Sequence, residues 1–145
     1  HRNPQGIAWD DKNRLWATEH GQSATDELNQ VTFGSNYGWP IIRGDQTQTG
    51  LQSPILQSGS NTWAPAGAAY YKGSIYFGGL RGRELFEVKL DTLELKDHFK
   101  DEFGRIRDVV LGPDNMLYIT TSNRDGRGNP LLNDDKILRI NPDKL

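Results

Sequence analysis

A strand–turn–strand pattern returns three times along the chain. Ile7-Ala8-Trp9 and Leu15-Trp16-Ala17-Thr18 flank Asp10-Asp11-Lys12-Asn13, four polar residues whose side chains cap backbone groups in tight reversals. Ala68-Ala69-Tyr70-Tyr71 and Ile75-Tyr76-Phe77 flank Lys72-Gly73, and Asp108-Val109-Val110-Leu111 and Leu117-Tyr118-Ile119-Thr120 flank Gly112-Pro113-Asp114-Asn115. Short apolar runs rich in Val, Ile, Tyr, Trp and Phe, separated by turn formers, predict an all-β chain.

A third strand is expected after each hairpin, at Glu27-Leu28-Asn29-Gln30-Val31, at Glu84 to Leu90 and at Lys136 to Ile140. The last two alternate apolar and polar residues, as a half-buried antiparallel strand requires. Three or four strands per unit, repeated every 40 to 60 residues or so, is the pattern of a β-propeller of four-stranded antiparallel blades. Chance repetition of unrelated hairpins is the alternative. Leu95, Phe99, Phe103 and Ile106 would line one face of a helix, whereas Leu93 and Leu95 alternate like an outer blade strand. Gly104 interrupts the helix and the blade needs a fourth strand, so a strand followed by a loop is expected. Three blades do not close a ring, because propellers have four to eight. The chain is therefore expected to be part of a longer polypeptide, to pair with a second copy, or to be capped.

Composition narrows the function classes. Seventeen Lys and Arg against nineteen Asp and Glu give a net charge of -2, unlike a basic nucleic-acid module, and no apolar run is long enough to span a bilayer. Zero cysteines exclude a disulfide scaffold, a zinc ribbon and a thiol nucleophile, and leave the compartment open. His1-Arg2-Asn3-Pro4 is no secretion signal, so any such signal is expected upstream or already removed. G-x-S-x-G, Walker and dinucleotide-binding patterns are absent. Gly78-Gly79-Leu80-Arg81-Gly82 lacks the helix that would make it a phosphate cradle.

The informative polar residues fall at strand ends and in loops: Arg2, Asn3 and Gln5; Glu19, His20, Asp26 and Glu27; Arg81 and Arg83; Arg105 and Arg107. Arg105 and Arg107 share a face of an extended segment and would either grip a multiply charged carboxylate or face water. Asp26-Glu27 would ligate a hard cation or be solvated. Trp39 and Trp63 would flank a sugar or belong to the core.

Seven motifs in order resemble the soluble PQQ-dependent aldose sugar dehydrogenases of the glucose/sorbosone dehydrogenase family. They are His1 to Gly6, Thr18 to Gly21, Asp26 to Asn29, Asn36 to Pro40, Trp63 to Gly67, Arg105 to Asp108 and Thr121 to Gly128. The resemblance covers nearly all of residues 1–145 and implies three blades, the C-terminal half, of a six-bladed propeller. It implies that pyrroloquinoline quinone (PQQ) is held by Arg2, Asn3, Gln5, Arg105 and Arg107, with Arg81 in place of a lysine and Thr62 as a weaker match. It also implies that the carbonyls of Gly21 and Gln22 ligate a calcium ion beside the quinone, where Gln22 replaces a frequent proline and His20 a frequent glutamine. A second, structural calcium is implied at Glu27 and the Tyr37 carbonyl. The reaction so implied oxidises an aldose to its lactone and passes electrons to an acceptor. The family's histidine base lies in the N-terminal half and matches none of His1, His20 or His98, so no catalytic residue is assigned and the chain alone is expected to be inactive. The family's location is periplasmic or extracellular. Two other readings stay open: a non-catalytic interaction platform related to hedgehog-interacting proteins, and a half-propeller that self-assembles.

Overall fold

The computed structural model describes residues 1–145. Its first sheet runs β1 (Pro4–Trp9), β2 (Leu15–Glu19), β3 (Glu27–Val31) and β4 (Leu56–Gln57) in sequence order. The second is β5 (Pro65–Tyr71), β6 (Ser74–Gly79), β7 (Leu85–Lys89) and β8 (Leu95–His98). The third has three strands, β9 (Ile106–Leu111), β10 (Leu117–Thr121) and β11 (Ile137–Ile140), and a 3-10 turn at Pro142–Lys144 ends the chain. Every pairing joins consecutive strands and is antiparallel, so each sheet is a meander of the kind that forms a propeller blade. No helix is long and apolar enough to cross a membrane.

The blades stack face to face. Ala8, Trp16 and Leu28 of the first sheet pack with Trp63, Ile75, Phe77, Phe86 and Val88 to form one core. Tyr76 and Leu85 of the second sheet point the other way, onto Ile106, Val109, Leu117 and Ile119 of the third. The middle blade is thus covered on both sides, which is why β6 is buried at all six positions and reads as a continuous run rather than an alternation. The end blades have one bare face each, with Ile7 and Trp9 exposed on one and Val110 and Ile137 on the other.

The first strands of neighbouring blades lie side by side, β1 beside β5 and β5 beside β9. Glycine permits that approach. A Cβ on Gly6 of β1 would lie 2.4 Å from the Ala66 carbonyl oxygen, and one on Gly67 of β5 would lie 3.0 Å from the Asp108 Cα of β9.

The expected fourth strand of the second blade is β8, with Leu95 opposite Val88. Leu93 is not part of it, because its φ of 57° places it in the preceding turn. The helical alternative at 95–106 does not form.

Candidate functional site

In a meander the start of a blade's first strand and the end of its second lie at the same end of the sheet. The register shows this directly, with Pro4 opposite Glu19, Pro65 opposite Gly79 and Ile106 opposite Thr121. The segments 1–5, 20–27, 62–64, 80–83, 103–107 and 122–128 flank those strand ends, so most of the candidate residues share one end of the stack.

There Gly21, Gln22, Thr62, Arg81, Arg105 and Arg127 line a cleft of about 320 Å³ that all three blades bound. A smaller cleft beside it, about 230 Å³, is lined by Gln5 of β1, Ala66 and Gly67 of β5, and Arg107 and Asp108. A third holds Arg2, Gly21, Gln22, Glu27 and Tyr37. The residues singled out for cofactor and metal therefore distribute over three adjoining clefts rather than one, except Asn3, which lines none of them.

The N-terminal corner is anchored by Glu19, a buried carboxylate that accepts from the Arg2 amide, from the Asn3 amide at 2.9 Å and from His1 Nδ1 at 2.6 Å. This leaves the side chains of Arg2, Asn3 and Gln5 exposed. Arg2 donates to the His20 carbonyl at 3.1 Å and lies over the Trp39 ring, and Gln5 donates to Asn3 Oδ1 at 2.8 Å.

Asp26 and Glu27 do not act as a pair. Asp26 is buried and accepts from the Gly21 amide at 2.9 Å and the Ala64 amide at 2.8 Å, a strut between two loops of the site. Glu27 opens onto the cleft beside Tyr37 and accepts from Asn29 Nδ2 at 3.1 Å. Burial, reinforced by the nearby Glu19 and Asp26 charges, pushes its carboxyl up. Asn29 is fully buried and its Oδ1 has no hydrogen-bond partner, an orphaned acceptor next to a carboxylate. No group of three or more His, Asp or Glu side chains converges anywhere.

Arg105 and Arg107 do share a face, because both reach Asp125 Oδ2, at 2.9 and 3.4 Å. Their environments differ. Arg105 is buried and also donates to the carbonyls of Leu80 and Ser122, both at 3.1 Å, so each of its guanidinium nitrogens is engaged. Arg107 makes the one long contact and is solvent-accessible. The amide of Arg127, then contacts to Arg105 and Ser122, outweigh partial burial and hold the Asp125 carboxyl down at about 2.

Of the two tryptophans considered for a sugar platform, Trp63 is core, 5.6 Å from Phe77 and 5.5 Å from Phe86. Trp39 is half-buried and carries Arg2 and Arg43 over its ring. The loop amides of Leu80, Arg81 and Gly82 donate to the carbonyls of Ala64 and Trp63, so no phosphate cradle exists there. None of the histidines is free. His1 is on Glu19, His98 on Glu87, and His20, which lines the cleft, donates from Nε2 to the Pro65 carbonyl at 2.7 Å.

Residues 1–139 match the family model described as Glucose / Sorbosone dehydrogenase. The chain belongs to that family. Among curated relatives it is 30% identical to the aldose sugar dehydrogenase YliI of Escherichia coli, over 86% of this chain and 40% of that protein. The PQQ-bound aldose sugar dehydrogenase of Streptomyces coelicolor superposes with a TM-score of 0.89 at 42% identity, covering 96% of this chain and 43% of that one. A putative oxidoreductase (glucose dehydrogenase) of Thermus thermophilus superposes with a TM-score of 0.87 at 39% identity, covering 96% and 44%. The chain thus spans about two fifths of the length of these relatives. Its three sheets are three blades of the family's β-propeller.

Asp125 and Arg127 were not singled out from the sequence as site residues. The available signal was their position in the Thr121 to Gly128 motif, at the end of the strand paired with β9.

Proposed function

We propose that this chain contributes part of the cofactor site of a PQQ- and calcium-dependent dehydrogenase that oxidises aldoses at the anomeric carbon to lactones. The observation that carries this reading is the convergence of Gly21, Gln22, Thr62, Arg81 and Arg105 on one cleft, with Gln5 and Arg107 on the next. When bound, PQQ supplies the hydride acceptor. Its carboxylates match the donor chemistry here, since guanidinium groups recognise carboxylates through paired, charge-assisted hydrogen bonds. The residues of this chain bind and orient. Arg107 and Arg81 offer charge, Arg2, Asn3 and Gln5 offer side-chain hydrogen bonds, and Arg105 fixes the wall of the cleft.

Calcium fits the oxygen-rich chemistry of two places. The Gly21 and Gln22 carbonyls would hold one ion. Glu27 with the Tyr37 carbonyl would hold another, where the orphaned Asn29 Oδ1 supplies a further hard acceptor. Because no side-chain cluster converges, carbonyls would make up much of either shell.

All three histidines are engaged, His1 by Glu19, His20 by the Pro65 carbonyl and His98 by Glu87, which supports a base supplied by polypeptide outside these residues, and this chain by itself is proposed to be inactive. The exposed Ile7, Trp9, Val110 and Ile137 on the two end faces support a ring completed either by the rest of a six-bladed propeller or by a second copy. Export to the periplasm or cell surface and an external electron acceptor belong to the same reading.

The test is a PQQ titration of this chain with and without calcium, followed by tryptophan fluorescence, with solution mass measured on the same sample. Saturable, calcium-dependent quenching supports the partial site, and a dimeric mass would assign the ring to two copies. A folded monomer that does not quench removes the claim that this part of the site binds alone.

A further inference from the structure

Two guanidinium groups at the large cleft have no counter-ion. Arg81 and Arg127 are both exposed and neither forms an ion pair, whereas Arg83 pairs with Asp101 and Arg105 with Asp125. Both line the 320 Å³ cleft and also its neighbour of about 270 Å³, so they stand where the two meet. The only carboxylate lining the larger cleft is Asp26, which two backbone amides already occupy.

Arg127 is held in place through its backbone rather than its side chain. Its amide donates to Asp125 Oδ1 at 2.9 Å, while Asp125 Oδ2 takes Arg105 and Arg107. Gly126, with φ of 84°, provides the left-handed turn between them. One carboxylate therefore fixes the loop, ties it to Arg105 and Arg107 and leaves the Arg127 guanidinium without a hydrogen bond. An arginine so placed breaks no existing contact when it turns to an incoming anion, and the charge-assisted bonds it forms must offset the ordering of its side chain.

We propose that Arg127 is a ligand-binding residue of this cleft, acting with Arg81 to pair a carboxylate of the cofactor. The assignment rests on the PQQ reading above and adds a contact to it from the loop after β10. Arg105, whose nitrogens are already engaged, then acts as a positioning residue for that loop.

PQQ is titrated into the wild-type chain and into Arg127→Ala, Arg127→Lys and Arg81→Ala variants at low and high salt, with Kd read from fluorescence quenching. The trimethyl ester of PQQ, which lacks the carboxylate charges, serves as the second probe, and near-UV circular dichroism checks the fold. Arg127→Ala should weaken PQQ binding at least about tenfold, reduce its salt dependence and leave ester binding unchanged, and Arg127→Lys should recover part of the loss. A folded Arg127→Ala variant that binds PQQ as tightly as wild type overturns the assignment while the cofactor reading stands. A folded wild-type chain that binds neither probe overturns the assignment together with the claim that this part of the site binds alone.

Discussion

The Thr18 hydroxyl donates to the Ala66 carbonyl at 2.8 Å, across the gap between the first blade and the second. The same oxygen accepts from the Gly6 amide at 2.9 Å, and the residue is fully buried. Thr18→Val keeps the shape and removes both bonds, leaving a buried amide and a buried carbonyl unpaired. That should cost about 2 to 4 kcal/mol, measured by urea unfolding. Thr18→Ser, which keeps the hydroxyl, should cost about 1 kcal/mol for the lost methyl. Equal losses in the two variants would mean that packing, and not the hydrogen bonds, joins the blades.

Asp10 closes the first hairpin in a different way. Burial raises its carboxyl, but the Trp16 indole, the Arg14 amide and guanidinium and the Lys12 amide outweigh this and bring it to about 2. A folded value below the ordinary 3.8 means that the stabilisation is complete above that value and is lost as pH falls toward 2. Wild type should therefore exceed Asp10→Asn in unfolding free energy at pH 7. The two curves should converge as pH drops from about 4 to about 2. A gap that persists to pH 2 would place the effect outside the ionised carboxylate.

The hairpins were legible because their turns carry Asp, Asn, Gly and Pro between apolar runs, and β3 was legible to the residue. Strand β4 was not. It is two residues long, Leu56–Gln57, and follows a long irregular loop, so no period-2 pattern exists to find. For the site, topology alone foretells which segments meet, since strand ends in a meander are fixed by order. What spacing does not encode is how each guanidinium is satisfied. Arg105 and Arg107 are equivalent as letters, yet Arg105 is walled in by Leu80 and Ser122 carbonyls and Arg107 is not. Trp39 and Trp63 likewise both precede a Pro within two residues, and only packing against Phe77 and Phe86 separates the core residue from the surface one.

That difference between the arginines is measurable. Arg105→Ala leaves Asp125 and two carbonyls without their buried donor and should lower stability by about 2 to 4 kcal/mol. Arg107→Ala removes one long, exposed contact and should change stability by less than about 0.5 kcal/mol while weakening PQQ binding. Thermal unfolding and the fluorescence titration, run on both variants, separate the roles. Similar stability losses would show that both arginines are structural.

The approach of the second and third blades sets where those arginines stand. Gly78 on β6 faces the backbone of Ile106, and a Cβ there would lie 2.6 Å from the Ile106 carbonyl oxygen and 2.8 Å from its Cγ2. Ile106 is fully buried between Arg105 and Arg107, so it cannot yield by rotating into solvent, and β9 itself must move. Gly78→Ala should therefore destabilise the chain by at least about 2 kcal/mol and weaken PQQ binding as well, because displacing Ile106 carries both flanking guanidiniums away from Asp125. Unfolding and titration on the same sample distinguish the outcomes. Loss of stability with wild-type affinity would mean that the arginines adjust independently of β9, and wild-type stability would mean that the blades are not in backbone contact at Gly78.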